Sequence, residues 1–103
     1  MIRHIVMFKL LPEANGRTAK ENAVMAKTIL DTLPAKIPSL KKLDAVINLD
    51  EADPTNYEIA LICDFESMAD LDAYQVHPAH KAFGAFICEV RSSRSCIDYE
   101  VED

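Results

Sequence analysis

Basic residues are in deficit in this chain: 11 Lys and Arg stand against 17 Asp and Glu, a formal charge of −6 over 103 residues. A phosphate backbone or an anionic lipid surface would meet like charge, so neither nucleic acid nor membrane is an expected partner. Long apolar runs are missing as well. The run that opens the chain, Ile5-Val6-Met7-Phe8, is closed by Lys9 after four residues. A secretory leader or a spanning helix requires more, and a soluble, cytoplasmic protein is expected. Cysteine is sparse: Cys63, Cys88 and Cys96 contain no CxxC pair of the kind a zinc or redox motif uses, and reduced, mostly buried thiols are expected. Repeats, low-complexity tracts and linkers are also absent, and the length suits one domain spanning 1–103 with a core of its own.

What is present is clear hydrophobic patterning. In Ile2 to Leu10, residues Ile2, His4, Val6, Phe8 and Leu10 form one strand face, apolar except for His4, and Arg3, Ile5, Met7 and Lys9 form the other. Leu11 to Gly16 breaks the strand. Thr18 with Glu21 then offers a capping box, and Ala19, Ala23, Ala26, Leu30 and Leu33 recur at helical spacing up to Pro34. A connection through Pro34 to Ser39 leads to a second alternating segment, Leu43 to Leu49. An acidic turn over residues 50–56 follows, and Tyr57 to Phe65 repeats the logic of the first strand.

Ser67 and Asp70 suggest a second cap, opening a short helix that stops near His77 because Pro78 disfavours helical backbone in its predecessor. Pro78 suits the first turn of a further helix, with Phe83, Phe86, Ile87 and Val90 on one side. A fourth strand follows, in which Ile97, Tyr99 and Val101 alternate with Cys96, Asp98 and Glu100. The order predicts an α+β fold, the ferredoxin-like split βαβ arrangement, with a four-stranded antiparallel sheet and helices on one face. Ile5, Met7 and Ile62 then form an apolar patch on the opposite face. Two sheets packed face to face by a two-fold axis would bury it, so a homodimer closing an α/β barrel is expected.

Chemistry concentrates in Tyr74-Gln75-Val76-His77-Pro78-Ala79-His80. A histidine with a pKa of about 6.5 accepts a proton at neutral pH, and a tyrosine phenol donates a hydrogen bond to a developing enolate. Tyr74 and His80 would thus suit proton abstraction beside a carbonyl, although a His before Pro also serves as a helix cap and a Tyr on an apolar stripe as core. His4, on its apolar face, needs a polar partner; it either bonds backbone in the core or lines a cavity with Tyr74 and His80, whose apolar wall Phe83 and Phe86 would supply. A metal ion is not expected: His77 and His80 straddle the break that Pro78 makes, Asp70 and Asp72 precede it, and His4 is distant in sequence. Nothing in the sequence marks a cofactor.

Taken together, His4-Ile5-Val6-Met7-Phe8-Lys9, Asn56-Tyr57-Glu58, the run Ala73 to His80 and Ile97-Asp98-Tyr99-Glu100-Val101 resemble the stress-responsive A/B barrel domain (Dabb) family of dimeric α/β barrels. The Tyr-x-x-His-Pro-x-His run carries the resemblance most specifically. It implies a ferredoxin-like monomer that pairs through its sheet. By similarity to a plant member that cyclises a linear polyketide by aldol condensation, it also implies that His80 and Tyr74 are catalytic and that His4 borders the pocket. That member has a further histidine where this chain has Ile59. The resulting expectations are a barrel that binds a small apolar or oxygenated molecule between sheet and helices, a cofactor-free cyclase or isomerase with His80 as base, or a purely structural assembly unit.

Overall fold

The computed structural model describes residues 1–102. Strand β1 (Ile2–Leu10) follows the alternation of its sequence: His4, Val6, Phe8 and Leu10 are buried and Met7 is exposed. Where the sequence pattern shows only a break, the structure adds a small hairpin of β2 (Glu13–Ala14) and β3 (Arg17–Thr18). Asn15 and Gly16 at its tip have φ of 54° and 74°, the left-handed conformation that Asn-Gly pairs supply in two-residue hairpin turns.

Thr18 caps α1 (Ala19–Leu30) in the expected reciprocal box, its hydroxyl accepting from the Glu21 N–H while the Glu21 carboxylate accepts from the Thr18 N–H. Ala23, Ala26, Leu30 and Leu33 are buried. Asn22 is buried among them, donating to the Ala14 carbonyl and accepting from Arg17 Nε, which ties the helix to the hairpin. The connection expected from Pro34 onwards contains a further turn of helix, α2 (Leu33–Lys36), because Pro34 falls in its first turn, where a missing N–H leaves nothing unsatisfied.

Strand β4 (Lys42–Ile47) stops two residues before Leu49, and β5 (Ile59–Phe65) begins two residues after Tyr57. Glu58 lies just ahead of β5, and its carboxylate accepts from the Leu10 N–H and from Lys9 Nζ, doing the work of a ladder bond. Helices α3 (Met68–Val76) and α4 (Pro78–Val90) then lead straight into β6 (Arg91–Glu100). This strand starts five residues before Cys96, since the polar run Arg91 to Ser95 pairs with β1 through backbone bonds, joined by the Ser92 hydroxyl donating to the Lys9 carbonyl, and leaves no hydrophobic signature.

The four long strands form an antiparallel sheet in the order β4-β5-β1-β6, a ferredoxin-like arrangement. The core lies between its helix-side face and the helices. On the other face Met7, Val46, Ile97 and Tyr99 are exposed beside half-buried Ile5 and Ile62, a wider apolar patch than the three residues expected. The expectation of mostly buried thiols is corrected: Cys63 is buried, whereas Cys88 on α4 and Cys96 on the edge strand β6 are exposed. Among the described residues no helix is long and apolar enough to cross a membrane.

Candidate functional site

The break between α3 and α4 builds the site. His77 is extended, with φ −65° and ψ 139°, the conformation that a following proline imposes. Its Nδ1 accepts from the Ala79 N–H at 3.0 Å, so the ring caps α4 and Pro78 fills the first turn. His80 follows on that first turn and lies against Tyr74 at the end of α3, with ring centroids 4.5 Å apart. The break therefore points the two histidine rings at different neighbours.

His80 Nδ1 lies 3.2 Å from the Gln75 carbonyl oxygen. A carbonyl only accepts, so Nδ1 carries the hydrogen and the neutral ring presents Nε2 as an unprotonated base. Burial lowers the His80 pKa from its ordinary 6.5, opposed by the Gln75 hydrogen bond and reinforced by His4 and Arg94. The ring is thus neutral at neutral pH. Tyr74 is 1% exposed and packs on Phe65 at 5.0 Å. Burial, with Cys63 beside it, raises its phenol pKa, so it is a hydrogen-bond donor and not a phenolate. The Cys63 thiol is pushed up to about 12, chiefly by burial, which removes it as a nucleophile.

His4 is 2% exposed, and its ring centroid lies 6.4 Å from that of Tyr74. The polar partner it requires is Asp98, its neighbour across the β1–β6 ladder, whose carboxylate accepts from His4 Nδ1 and so fixes the ring. Cys96 Sγ is 3.5 Å from the same nitrogen. Donor atoms of His4, Cys96 and Asp98 all lie within 4.8 Å of one another. This is the group in which the described residues could hold a metal ion. Among the described residues no such group forms around His77 and His80, and His77 Nδ1 is taken by the Ala79 N–H.

Between the sheet and α3–α4 lies a cavity of about 130 Å³, walled by His4, Val6, Phe8, Leu61, Tyr74, His80, Phe83 and Ile87, with exposed Gln75, Cys88 and Arg94 and half-buried Gly84 and Arg91 on its solvent side. The structure brings His4, Tyr74, His80 and Phe83 together there. Phe86 is not part of this wall: it is half-buried and packs on the core from another side of α4. A larger hollow of about 240 Å³ beside α1 and the acidic turn carries Lys20, Asp50 and Glu58. Those charges are paired already, Lys20 with Asp50 and Glu58 with Lys9, which leaves the smaller cavity as the chemically equipped one.

Sequence reasoning missed Arg91, Arg94, Cys96 and Asp98 as neighbours of the site. Period-two alternation extended back from Ile97 would have placed Arg94, Cys96 and Asp98 on one face. Their meeting with His4 depends on the β1–β6 register, which no local pattern encodes.

The profile of the stress responsive A/B barrel domain (Dabb) matches residues 2–101. No curated protein matches the chain. Among solved structures, a dimeric protein of unknown function and ferredoxin-like fold from Bacteroides fragilis is 33% identical, with 97% of this chain and 95% of that one covered and a TM-score of 0.80. A dimeric ferredoxin-like protein of unknown function from Thermobifida fusca is 31% identical, with 97% and 90% covered and a TM-score of 0.81. A Dabb family protein with a ferredoxin-like fold from Mesorhizobium loti is 25% identical, with 99% and 97% covered and a TM-score of 0.69. Fold, motif and a profile match over nearly its whole length agree, and the chain belongs to the stress responsive A/B barrel domain family.

Proposed function

We propose that this chain, as a single domain, forms a homodimer whose protomers each hold a small apolar or oxygenated molecule in the Tyr74–His80 cavity. The observation that carries this reading is the cavity itself, an apolar chamber with a neutral imidazole and a protonated phenol at one wall. Its volume of about 130 Å³ approaches the roughly 150 Å³ at which a dry cavity takes up a benzene ring. A ligand of about one ring therefore fits, with any longer part leaving by the open side. Pairing is supported by the apolar patch on the outer sheet face and by likeness to relatives described as dimeric. Sedimentation at micromolar concentration tests it: a dimer supports the reading and a stable monomer refutes it.

The state of His80 favours a second, catalytic reading. With Nδ1–H held by Gln75, Nε2 is placed to take a proton from a carbon next to a carbonyl. The C–H electron pair moves into the new C=C bond and the carbonyl pair onto oxygen, where the Tyr74 hydroxyl, turned from its hydrogen bond with the Cys63 thiol, donates to the enolate. The His80 imidazolium then returns the proton, either to another carbon or to the oxygen of a second carbonyl that the enolate has attacked. These outcomes are isomerisation and aldol cyclisation without a cofactor. Asp98 acts through His4, keeping that ring oriented at the cavity wall. Solvent-deuterium exchange into short β-dicarbonyl compounds tests the chemistry: exchange above the buffer rate that His80→Asn abolishes supports a base. Binding with no exchange leaves the first reading alone.

A further inference from the structure

The sheet brings two arginines to the open side of the cavity, and it does so by an irregularity. Arg94 pairs with Phe8 across the ladder and shares the helix-side face with His4 and Asp98. Arg91, three residues earlier, would fall on the opposite face of a regular strand. The register slips between Lys9 and Leu10, however, so that Leu10 pairs with Arg91 rather than with Ser92. This bulge turns Arg91 back toward the cavity, the kind of re-aiming for which bulges are used near sites. Both side chains line the opening.

Neither guanidinium is neutralised. Arg3 is paired with the Asp64 carboxylate and Arg17 with the Asn22 side chain. Among the described residues no carboxylate forms an ion pair with Arg91 or Arg94, and Arg91 has only a long contact to Cys88 Sγ at 3.8 Å. Arg94 hydrogen-bonds the Cys96 thiol, so neither cation has a carboxylate partner among the described residues, and both are available to an anion at the cavity.

We propose that Arg91 and Arg94 select a ligand bearing a carboxylate, which they grip at the opening while its ring-sized body occupies the apolar chamber. A planar guanidinium donates two parallel N–H bonds to a carboxylate, a geometry that a neutral amide cannot match in charge. The substrate class is then a small carboxylic acid with an apolar or carbonyl-bearing body, and His80 and Tyr74 face that body rather than the anionic group. This deepens the proposed use of the cavity and rests on it.

Benzoate and benzamide, equal in size and different in charge, separate the two claims when titrated by calorimetry or ligand-observed NMR. The wild-type protein is expected to bind benzoate at least about tenfold more tightly than benzamide, the difference between a charged and a neutral hydrogen-bonded pair. The preference should shrink as salt is added. In Arg91→Gln/Arg94→Gln the benzoate affinity should fall until the two compounds bind alike. Equal wild-type affinities overturn the selection of anions while leaving the cavity reading intact, and so does a benzoate preference that survives the double substitution. Binding of neither compound overturns both. The wild-type comparison requires no variant, and both arginines lie outside the buried core, so a far-UV spectrum suffices to check the folding of the double variant.

Discussion

His77 and His80 stand three residues apart in one motif, yet their rings meet different partners, and paired substitutions test whether their roles divide in the same way. His77→Ala removes the acceptor that the Ala79 N–H meets at 3.0 Å and leaves the start of α4 without its side-chain cap. Loss of a cap costs about 0.5–2 kcal/mol, typically about 1. For a domain near 100 residues each kcal/mol moves Tm by about 4–8 °C, so a thermal melt followed by circular dichroism should drop by that amount. His77→Ser restores an oxygen to the cap and should recover most of the loss. Below its Tm, His77→Ala should bind cavity ligands as the wild type does. His80→Asn is the complement: the amide N–H can still reach the Gln75 carbonyl, Asn and His have similar helix propensity, and the Nε2 base is gone. It should abolish exchange into β-dicarbonyl compounds in a folded protein. An unchanged melt for His77→Ala, or abolished ligand binding in that variant while folded, would refute the division.

Tyr74→Phe keeps the ring contacts with Phe65 and His80 and removes the donor. Exchange should fall about 10²-fold with stability within about 1 kcal/mol, and a decrease under about tenfold would count against the phenol's role. Because burial lowers the His80 pKa below 6.5, the unfolded chain binds this proton first as pH falls. The His80 contribution to stability is therefore complete above pH 6.5 and lost as pH drops through the folded pKa. Urea midpoints at neutral and acidic pH should show a loss that is smaller in His80→Asn, and the acidic limb of any activity profile should lie below 6.5. At Gly84 an added Cβ meets no atom within 4 Å, so Gly84→Ala should raise stability by about 0.5–1 kcal/mol, whereas Gly84→Leu should fill the cavity opening and weaken binding in a titration. Ile97 is 60% exposed on the outer sheet face; Ile97→Lys should sediment as a monomer with an unaltered far-UV spectrum, and a persistent dimer would place the contact elsewhere.

Strands β1 and β5 and helix α1 were legible because one periodicity governs each, and Thr18, Glu21 and Pro78 carried local capping chemistry, whereas the Tyr74 to His80 run left cap, core and catalytic readings open. The β2–β3 hairpin had its Asn15-Gly16 signal, but strands of two residues are too short to show alternation. The start of β6 was hidden because an edge strand needs no apolar pattern to pair. At the site, spacing across the helix break brought out Tyr74 and His80. Phe86 was misplaced because helical spacing gives a side and not the depth at which a cavity opens. Asp98 and the two arginines escaped since their positions depend on strand register and on one bulge, both properties of the pairing and not of either strand alone.

The central claim, that the cavity between sheet and helices is a ligand site with His80 as its free base, meets its most direct test in the three histidine rings. In protein labelled with ¹⁵N at histidine, NMR should find neutral His80 protonated at Nδ1 with Nε2 bare. Titration with benzoate or benzamide should shift the His80 and His4 ring signals while that of His77 stays in place. A His80 ring protonated on Nε2, or signals that do not move at millimolar concentrations of either compound, would contradict the account.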